Sequence, residues 1–204
     1  MKVVRLGEMK LAYYSVPKVG KTAMKSVMDT LSRPDGDYRN YGDKLFSPLM
    51  RWRGRGCYRF TIVRDPVERL VSAYADRVAD RDDIRRSVLS VVLARLLGLD
   101  PSPDLNTFAL NLKKYALIND RIFRHVVPQL RYIGRDPGFY DAIFSIREMD
   151  KVAATLSELS GREVSIRRAN ASKAKVSKAD LSPAALAALQ DFYREDYRLY
   201  GQYF

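Results

Sequence analysis

The sequence predicts an α/β fold built on a parallel sheet, and three observations carry that prediction. Short runs rich in apolar, aromatic and β-branched residues alternate with stretches of helical period. Two of those runs, KLAYYSV at 10–16 and YRFTIV at 58–63, read as strands. Each is followed at once by turn residues and then by a helical pattern, the order expected of strand–loop–helix units.

Taken in order, the first strand ends at Pro17. Ala23, Met24, Val27, Met28 and Leu31 then recur at helical spacing, which predicts a helix from Thr22 to Leu31. Residues 33–57 are rich in Gly, Pro, Asp and Arg without a clear period, and read as an irregular excursion ending in the basic RWRGRG of 51–56. The buried strand 58–63 is broken by Arg64-Asp65-Pro66, with Pro66 suited to a first helical turn. Val67, Leu70, Val71, Tyr74 and Val78 form one helical stripe beyond it. Residues 84–97 are more uniformly apolar, which predicts a largely buried helix. DPSPDLN at 100–106 is a turn with N-capping residues. YDAIFSI reads as another strand, and REMDKVAATLSELSG as a helix stopped by Gly161. Residues 162–180 are basic and poorly periodic, hence a loop. The last helix carries Leu186, Leu189, Tyr193, Tyr197 and Tyr200 on one side, where the tyrosines are expected to pack in the core. No internal repeat and no linker is visible, so one domain spanning 1–204 is expected.

Composition narrows the class. With 47% hydrophobic and 29% charged residues the chain reads as an ordinary globular protein. It has no apolar run of transmembrane length and no signal-peptide pattern at its start. A single cysteine, Cys57, excludes an internal disulfide and suits a reducing cytoplasm; a buried inert thiol is its expected state. Thirty-six basic residues against twenty-four acidic ones leave a net charge of +12. A field of that sign attracts polyanions: nucleic acid, anionic lipid, or a phosphorylated or sulfated small molecule.

The chemistry concentrates after the two strands, because ligands of such sheets bind beyond the carboxyl ends of the strands. SVPKVGKTAMKSVM at 15–28 contains Gly20-Lys21-Thr22, the end of a Walker A loop, but Ser15 stands where that pattern needs its first glycine. Thr22 offers a magnesium-binding hydroxyl, and Asp65 loosely resembles a Walker B acid. Arg64 directly before it, however, puts a permanent cation where a metal ligand is wanted. Read without a metal, Lys18, Lys21 and the backbone amides of Gly20, Lys21, Thr22 and Ala23 suffice to neutralise a phosphate-like group. Arg64 presents a bidentate fork to a second phosphate, and Ser72, off the apolar stripe of its helix, adds a hydroxyl. Two anion sites at adjacent strand ends suit a nucleotide phosphorylated at two places. A plainer reading pairs Arg64 with Asp65 or Glu68 and leaves Ser72 as a surface residue.

VPKVGKTAMKSVM followed by YRFTIVRDPVERLVSAY resembles the sulfotransferase family 2 group, which includes carbohydrate sulfotransferases. The second motif is the more specific. HVVPQLRYIG at 125–134 is similar to the family's histidine-x-x-Pro-Gln segment, and YREDYRLYG to its C-terminal helix. The resemblance implies a three-layer parallel sheet flanked by helices, the P-loop NTPase-like sulfotransferase fold. It implies that Lys18 contacts the 5′-phosphosulfate of 3′-phosphoadenosine 5′-phosphosulfate, that Arg64 and Ser72 hold its 3′-phosphate, and that no metal is required. Lys21 departs from the family, which usually has a small or uncharged residue there. His125, the sole histidine, is expected to take the proton of the attacking hydroxyl; otherwise an acidic residue from the segments outside the resemblance must do so.

The expected function is therefore sulfuryl transfer to a hydroxyl, of a carbohydrate or glycoconjugate, in the cytoplasm. Within the basic segments, RWRGRG suits an anionic acceptor, a sugar ring or RNA, and Arg168 and Ser172 in 167–178 are candidate nucleotide contacts. Two alternatives stand beside this reading: a P-loop kinase using Lys21, Thr22 and magnesium, and a basic nucleic-acid-binding module. The second is the weaker, since no base-stacking motif is present, and nucleic acid is not an expected partner.

Overall fold

The computed structural model describes residues 1–6, 8–32, 38–41, 45–166 and 175–204. Arg168 and Ser172 lie outside them. The chain divides into two compact units: Met1–Arg64 with Gln129–Ala169 and Arg198–Phe204, and Asp65–Pro128 with Asn170–Tyr197.

The first unit holds the sheet. Its strands are β1 (Lys2–Leu6), β2 (Met9–Tyr14), β3 (Tyr38–Asn40), β4 (Tyr58–Val63) and β5 (Ala142–Ser145), in the order β3-β1-β2-β4-β5. β2 and β4 run parallel with Tyr14 opposite Thr61, and β4 and β5 run parallel with Val63 opposite Ser145. β1 is antiparallel to both β2 and β3. The α/β architecture thus holds, and the parallel strands are those read from the sequence. The sheet is mixed because β1 and β3 extend it on one side. Leu11 through Val16 and Phe60 through Val63 are buried without alternation, as expected of strands covered on both faces. The helices of this unit include α1 (Lys21–Leu31), α2 (Pro48–Arg53) and, between Gln129 and Ala169, a short turn at Leu130–Ile133 and a longer helix at Met149–Ser160. Gly161, at φ 63°, ends the latter as expected.

Two interactions fix the far side of the sheet. Asp141 accepts from the backbone N–H of Arg59 at 2.7 Å and from both Nε and an Nη of its side chain at 3.0 and 2.9 Å. This fork sets β5 beside β4 one residue before their ladder begins at Phe60 and Ala142. Behind it, Tyr14 meets Phe46, Phe139 and Tyr140 at centroid distances of 5.3–6.0 Å and donates its hydroxyl to the Met50 carbonyl at 2.9 Å.

The second unit is helical: α3 (Pro66–Tyr74), α4 (Val88–Leu96), α5 (Leu105–Leu110), α6 (Leu112–Ile118), α7 (Asp120–Val126) and, after Asn170, a helix at Pro183–Phe192. A π-helical segment, Ala75–Asp80, continues α3. The stripe Val67, Leu70, Val71, Tyr74 and Val78 is buried, packed with Phe108, Tyr115, Ile122, Leu189 and Tyr193. Pro66 opens α3 behind the Asp65 cap, and Asp104 caps α5. Among the described residues the most buried cation is Arg69, fully enclosed. Its guanidinium donates to the carbonyls of His125 at 2.9 Å, of Val126 at 3.4 Å and of Val127, and lies over the Tyr193 ring. The charge is thus spread over the end of α7, where carbonyls lack helical partners.

Two expectations are corrected. Residues 33–57 are not irregular throughout, since β3 and the Ser47-capped α2 fall within them. The apolar stretch 84–97 is not a largely buried helix: α4 starts only at Val88, and Val88, Leu89, Val92, Leu96 and the following Leu97 are exposed. Ser90 and Ala94 are the buried residues of that helix. Uniform hydrophobicity gave no indication of which side faces inward.

The Arg59 fork holds the Asp141 carboxyl below the usual carboxylate range, chiefly through its side-chain hydrogen bonds. A depressed carboxyl contributes stability that is present above its ordinary value, about 3.9, and is lost as pH falls through the depressed one. Asp141 is 34% exposed, so screening limits the pair to about 1 kcal/mol. Asp141→Asn should lower stability by about that amount at pH 7, with the difference closing below about pH 4. Urea unfolding of both proteins across pH 3–7 checks it.

Candidate active site at the strand ends

β2 gives out at Tyr14, and residues 15–20 carry the chain to α1. Ser15, Val16, Pro17 and Val19 are buried, so the loop is pinned from beneath, while Lys18 and Gly20 stay partly accessible. Lys18 takes the left-handed conformation, φ 68°, rare for a residue with a Cβ. Gly20 follows at φ 75° as the N-cap of α1, and a Cβ there would stand 3.1 Å from Ile146 Cδ1. Glycine fits both demands.

Six α-helices of the described residues carry a side-chain cap, and α1 does not. Ser47, Asp65, Ser87, Asp104, Asn119 and Ser182 each cap a helix through a side-chain oxygen. Gly20 brings no such oxygen, and the first turn of α1 holds no acidic residue. Lys21, Thr22 and Ala23 form that first turn, with Thr22 exposed and Lys21 and Ala23 partly so. The sequence has left the amide end of an 11-residue helix to the positive potential of its own dipole, beside Lys18 and Lys21.

β4 runs parallel beside β2, so Arg64 leaves the sheet from the same edge as the loop. The two strands are further tied by Thr61, whose hydroxyl donates to the Tyr14 carbonyl at 2.8 Å. Arg64 is held by its backbone. The fully buried Gln129 accepts from the Arg64 N–H at 3.1 Å and donates to the Arg64 carbonyl at 2.7 Å. A side-chain amide thereby pairs with a main-chain residue much as a neighbouring strand would. Gln129 was visible in the sequence only as part of the Pro128-Gln129 pattern; its partner was not.

Asp65, the next residue, belongs to the helical unit. One carboxylate oxygen caps α3 by accepting from Glu68 N at 2.9 Å; the other accepts from Tyr197 Oη at 3.1 Å and from Lys178 Nζ at 3.4 Å. Both oxygens are therefore engaged in holding the fold, which leaves the Walker B reading without its acid. Burial, followed by this carboxylate, pushes the Tyr197 hydroxyl well above the ordinary tyrosine range.

Ser72 and His125 also lie in the helical unit. Ser72 is partly buried on α3, and its carbonyl accepts from Ala75 N. His125 sits in the last turn of α7, with Nδ1 2.7 Å from the Arg121 carbonyl and Nε2 3.1 Å from an Arg77 Nη. The carbonyl can only accept, so Nδ1 donates, and Nε2 then accepts from the guanidinium. Arg77 is in turn held by Asp76 at 3.3 Å and by the buried Asp83 at 3.4 Å. The ring is fixed in one tautomer by a chain of charges that spacing along the sequence does not reveal.

The structure thus brings Lys18, Gly20, Lys21, Thr22, Ala23 and Arg64 to one edge of one sheet. A family model described as the sulfotransferase family matches residues 2–203. The chain belongs to that family. No curated protein and no solved structure matches this sulfotransferase. Among its described residues no group of three or more His, Cys, Asp or Glu side chains is placed to hold a metal ion, and no helix is long and apolar enough to cross a membrane.

Gln129→Leu keeps the volume while removing both hydrogen bonds to Arg64. At about 1–2 kcal/mol for each buried bond lost, the sulfotransferase should lose about 2–4 kcal/mol of stability in urea unfolding. A loss well under 1 kcal/mol would show that the clamp is dispensable.

Proposed function

We propose that the chain transfers a sulfuryl group from 3′-phosphoadenosine 5′-phosphosulfate to a hydroxyl, of a carbohydrate or glycoconjugate. One observation carries the reading. Two cation-bearing strand ends, the uncapped start of α1 with Lys18 and the clamped Arg64, leave neighbouring parallel strands at the same edge. In this reading the amides of Gly20 through Ala23, with Lys18 and Lys21, receive the 5′-phosphosulfate. Arg64 and Ser72 receive the 3′-phosphate, whose bidentate geometry a guanidinium matches.

The reaction is an in-line displacement at sulfur. The acceptor oxygen forms a bond to sulfur as the bond from sulfur to the bridging oxygen breaks, releasing adenosine 3′,5′-bisphosphate. Negative charge grows on that bridging oxygen, and a cation fixed beside it lowers the barrier more than it stabilises the ground state. Lys18 is given that part. The acceptor's proton passes to a base, for which His125 is the candidate. Its Nε2 must exchange the Arg77 hydrogen bond for the acceptor hydroxyl, so Arg77 both orients the ring and competes for it. The basic stretch at 51–56 suits an anionic acceptor; Trp52 there is 61% exposed, free to lie against a sugar ring. The kinase alternative has lost its acid, since Asp65 caps α3.

Calorimetry should find adenosine 3′,5′-bisphosphate bound at least about tenfold more tightly than 5′-AMP, since charge-assisted bonds of about 1.5–3 kcal/mol are added. Arg64→Ala should erase that difference while leaving 5′-AMP affinity nearly unchanged. Equal affinities in the unaltered protein would overturn the assignment.

His125→Ala tests the base separately. It should reduce kcat by about 10²–10⁴-fold with bisphosphate affinity within about twofold. Unaltered kcat would move the base to another residue.

A further inference from the structure

The exposed side of α4 has a chemistry that the transfer reaction does not use. Val88, Leu89 and Leu96 are 80, 66 and 76% exposed, and Val92 and Leu97 are exposed as well. The spacings 88, 92, 96 and 89, 92, 96 put four of them on one helical face. The rotation of the helix is fixed from the opposite side. Ser90, buried, donates its hydroxyl to the Ile118 carbonyl at 3.0 Å and accepts from Asn119 Nδ2 at 3.1 Å. Turning α4 to hide its leucines would break both of these buried hydrogen bonds. Leu117, on the α6 helix against which α4 packs, is also 80% exposed. A contiguous apolar face of this kind on a charged protein marks a surface that meets something.

Charge says what. From residue 85 to residue 97 the chain carries three arginines, Arg85, Arg86 and Arg95, and no acidic residue. All three are exposed. Arg85 has a loose contact with Asp82 at 3.6 Å, on the N-terminal side of the face. A second copy of this chain would bring three more arginines to the same face, in a molecule of net charge +12, while the solvent-accessible acids beside it, Asp82 and Asp120, are already paired with Arg85 and Arg124. An anionic bilayer meets both requirements at once: phosphates for the arginines and the acyl boundary for the leucines and valines.

We propose that α4 is a membrane-docking surface, which seats the protein on anionic lipid with Val88, Leu89, Val92 and Leu96 against the acyl boundary and Arg85, Arg86 and Arg95 at the headgroups. The proposal is independent of the sulfuryl-transfer reading, because none of these residues belongs to the strand-end site.

Co-sedimentation of the full chain with vesicles tests it, using phosphatidylcholine alone and phosphatidylcholine containing phosphatidylglycerol. Binding is expected to the second and not to the first, and is expected to weaken as salt is raised to about 0.5 M. Leu89→Ser with Leu96→Ser should weaken binding about tenfold or more. Arg85→Gln with Arg86→Gln and Arg95→Gln should weaken it about fivefold per arginine. All of these positions are exposed, and an unchanged circular dichroism melting curve shows that the fold is kept. The proposal is overturned if the unaltered protein ignores phosphatidylglycerol vesicles or if the serine variant binds them equally well. It is also overturned if lipid-free sedimentation velocity finds a dimer that the serine variant dissociates, which would make the face an interface between copies.

Discussion

The site depends on a hydrogen-bonding problem that every parallel sheet faces where its strands end. Beyond Val63 the ladder with β5 stops, yet the next residue, Arg64, must be held if its side chain is to be aimed. Gln129 solves this by offering a carbonyl and an amide N–H from one buried side chain, satisfying the Arg64 backbone in both directions. A carboxylate of the same length has no N–H to donate. The cationic tip of β4 is therefore defined by a residue 65 positions away in sequence.

A second long-range constraint stands just before Gln129 in the chain. Arg69 gathers the carbonyls of residues 125–127, the end of α7, where a helix ordinarily relies on solvent or a glycine cap. Because the guanidinium is fully buried, its charge is tolerated only through these carbonyls and the Tyr193 ring. His125 is the first of the three residues so held, and Arg77 fixes its ring from the side. The geometry of the histidine thus follows from two arginines on the preceding helical segment, which the sequence shows only as charges between apolar positions.

How much of this was legible depended on whether a feature was local. The strand 58–63, the apolar stripe from Val67 to Val78, the Pro66 start and the Gly161 stop depend on neighbouring residues and were readable from period and capping chemistry. The strands β1 and β3 were not, because KVVRL and YRN mix charged residues with their few apolar ones and form no run like YRFTIV or YDAIFSI. The face of α4 was misread for the opposite reason: nearly every residue is apolar, and two small inward residues, Ser90 and Ala94, decide its rotation. At the candidate site the loop, Arg64 and His125 stand out by residue type, but the contacts that hold Arg64, α3 and the His125 ring do not. Gln129, Asp65 and Arg77 act through contacts set by the tertiary fold, for which one sequence gives residue identity without geometry.

The left-handed backbone of Lys18 has an evolutionary corollary. Relaxing that torsion favours glycine, by about 1 kcal/mol, whereas supplying a fixed positive charge at the loop favours lysine. No standard amino acid provides both. Drift toward greater thermodynamic robustness at this position would therefore run against the very charge on which donor recognition would rely, and selection for turnover would have to hold the strained residue in place.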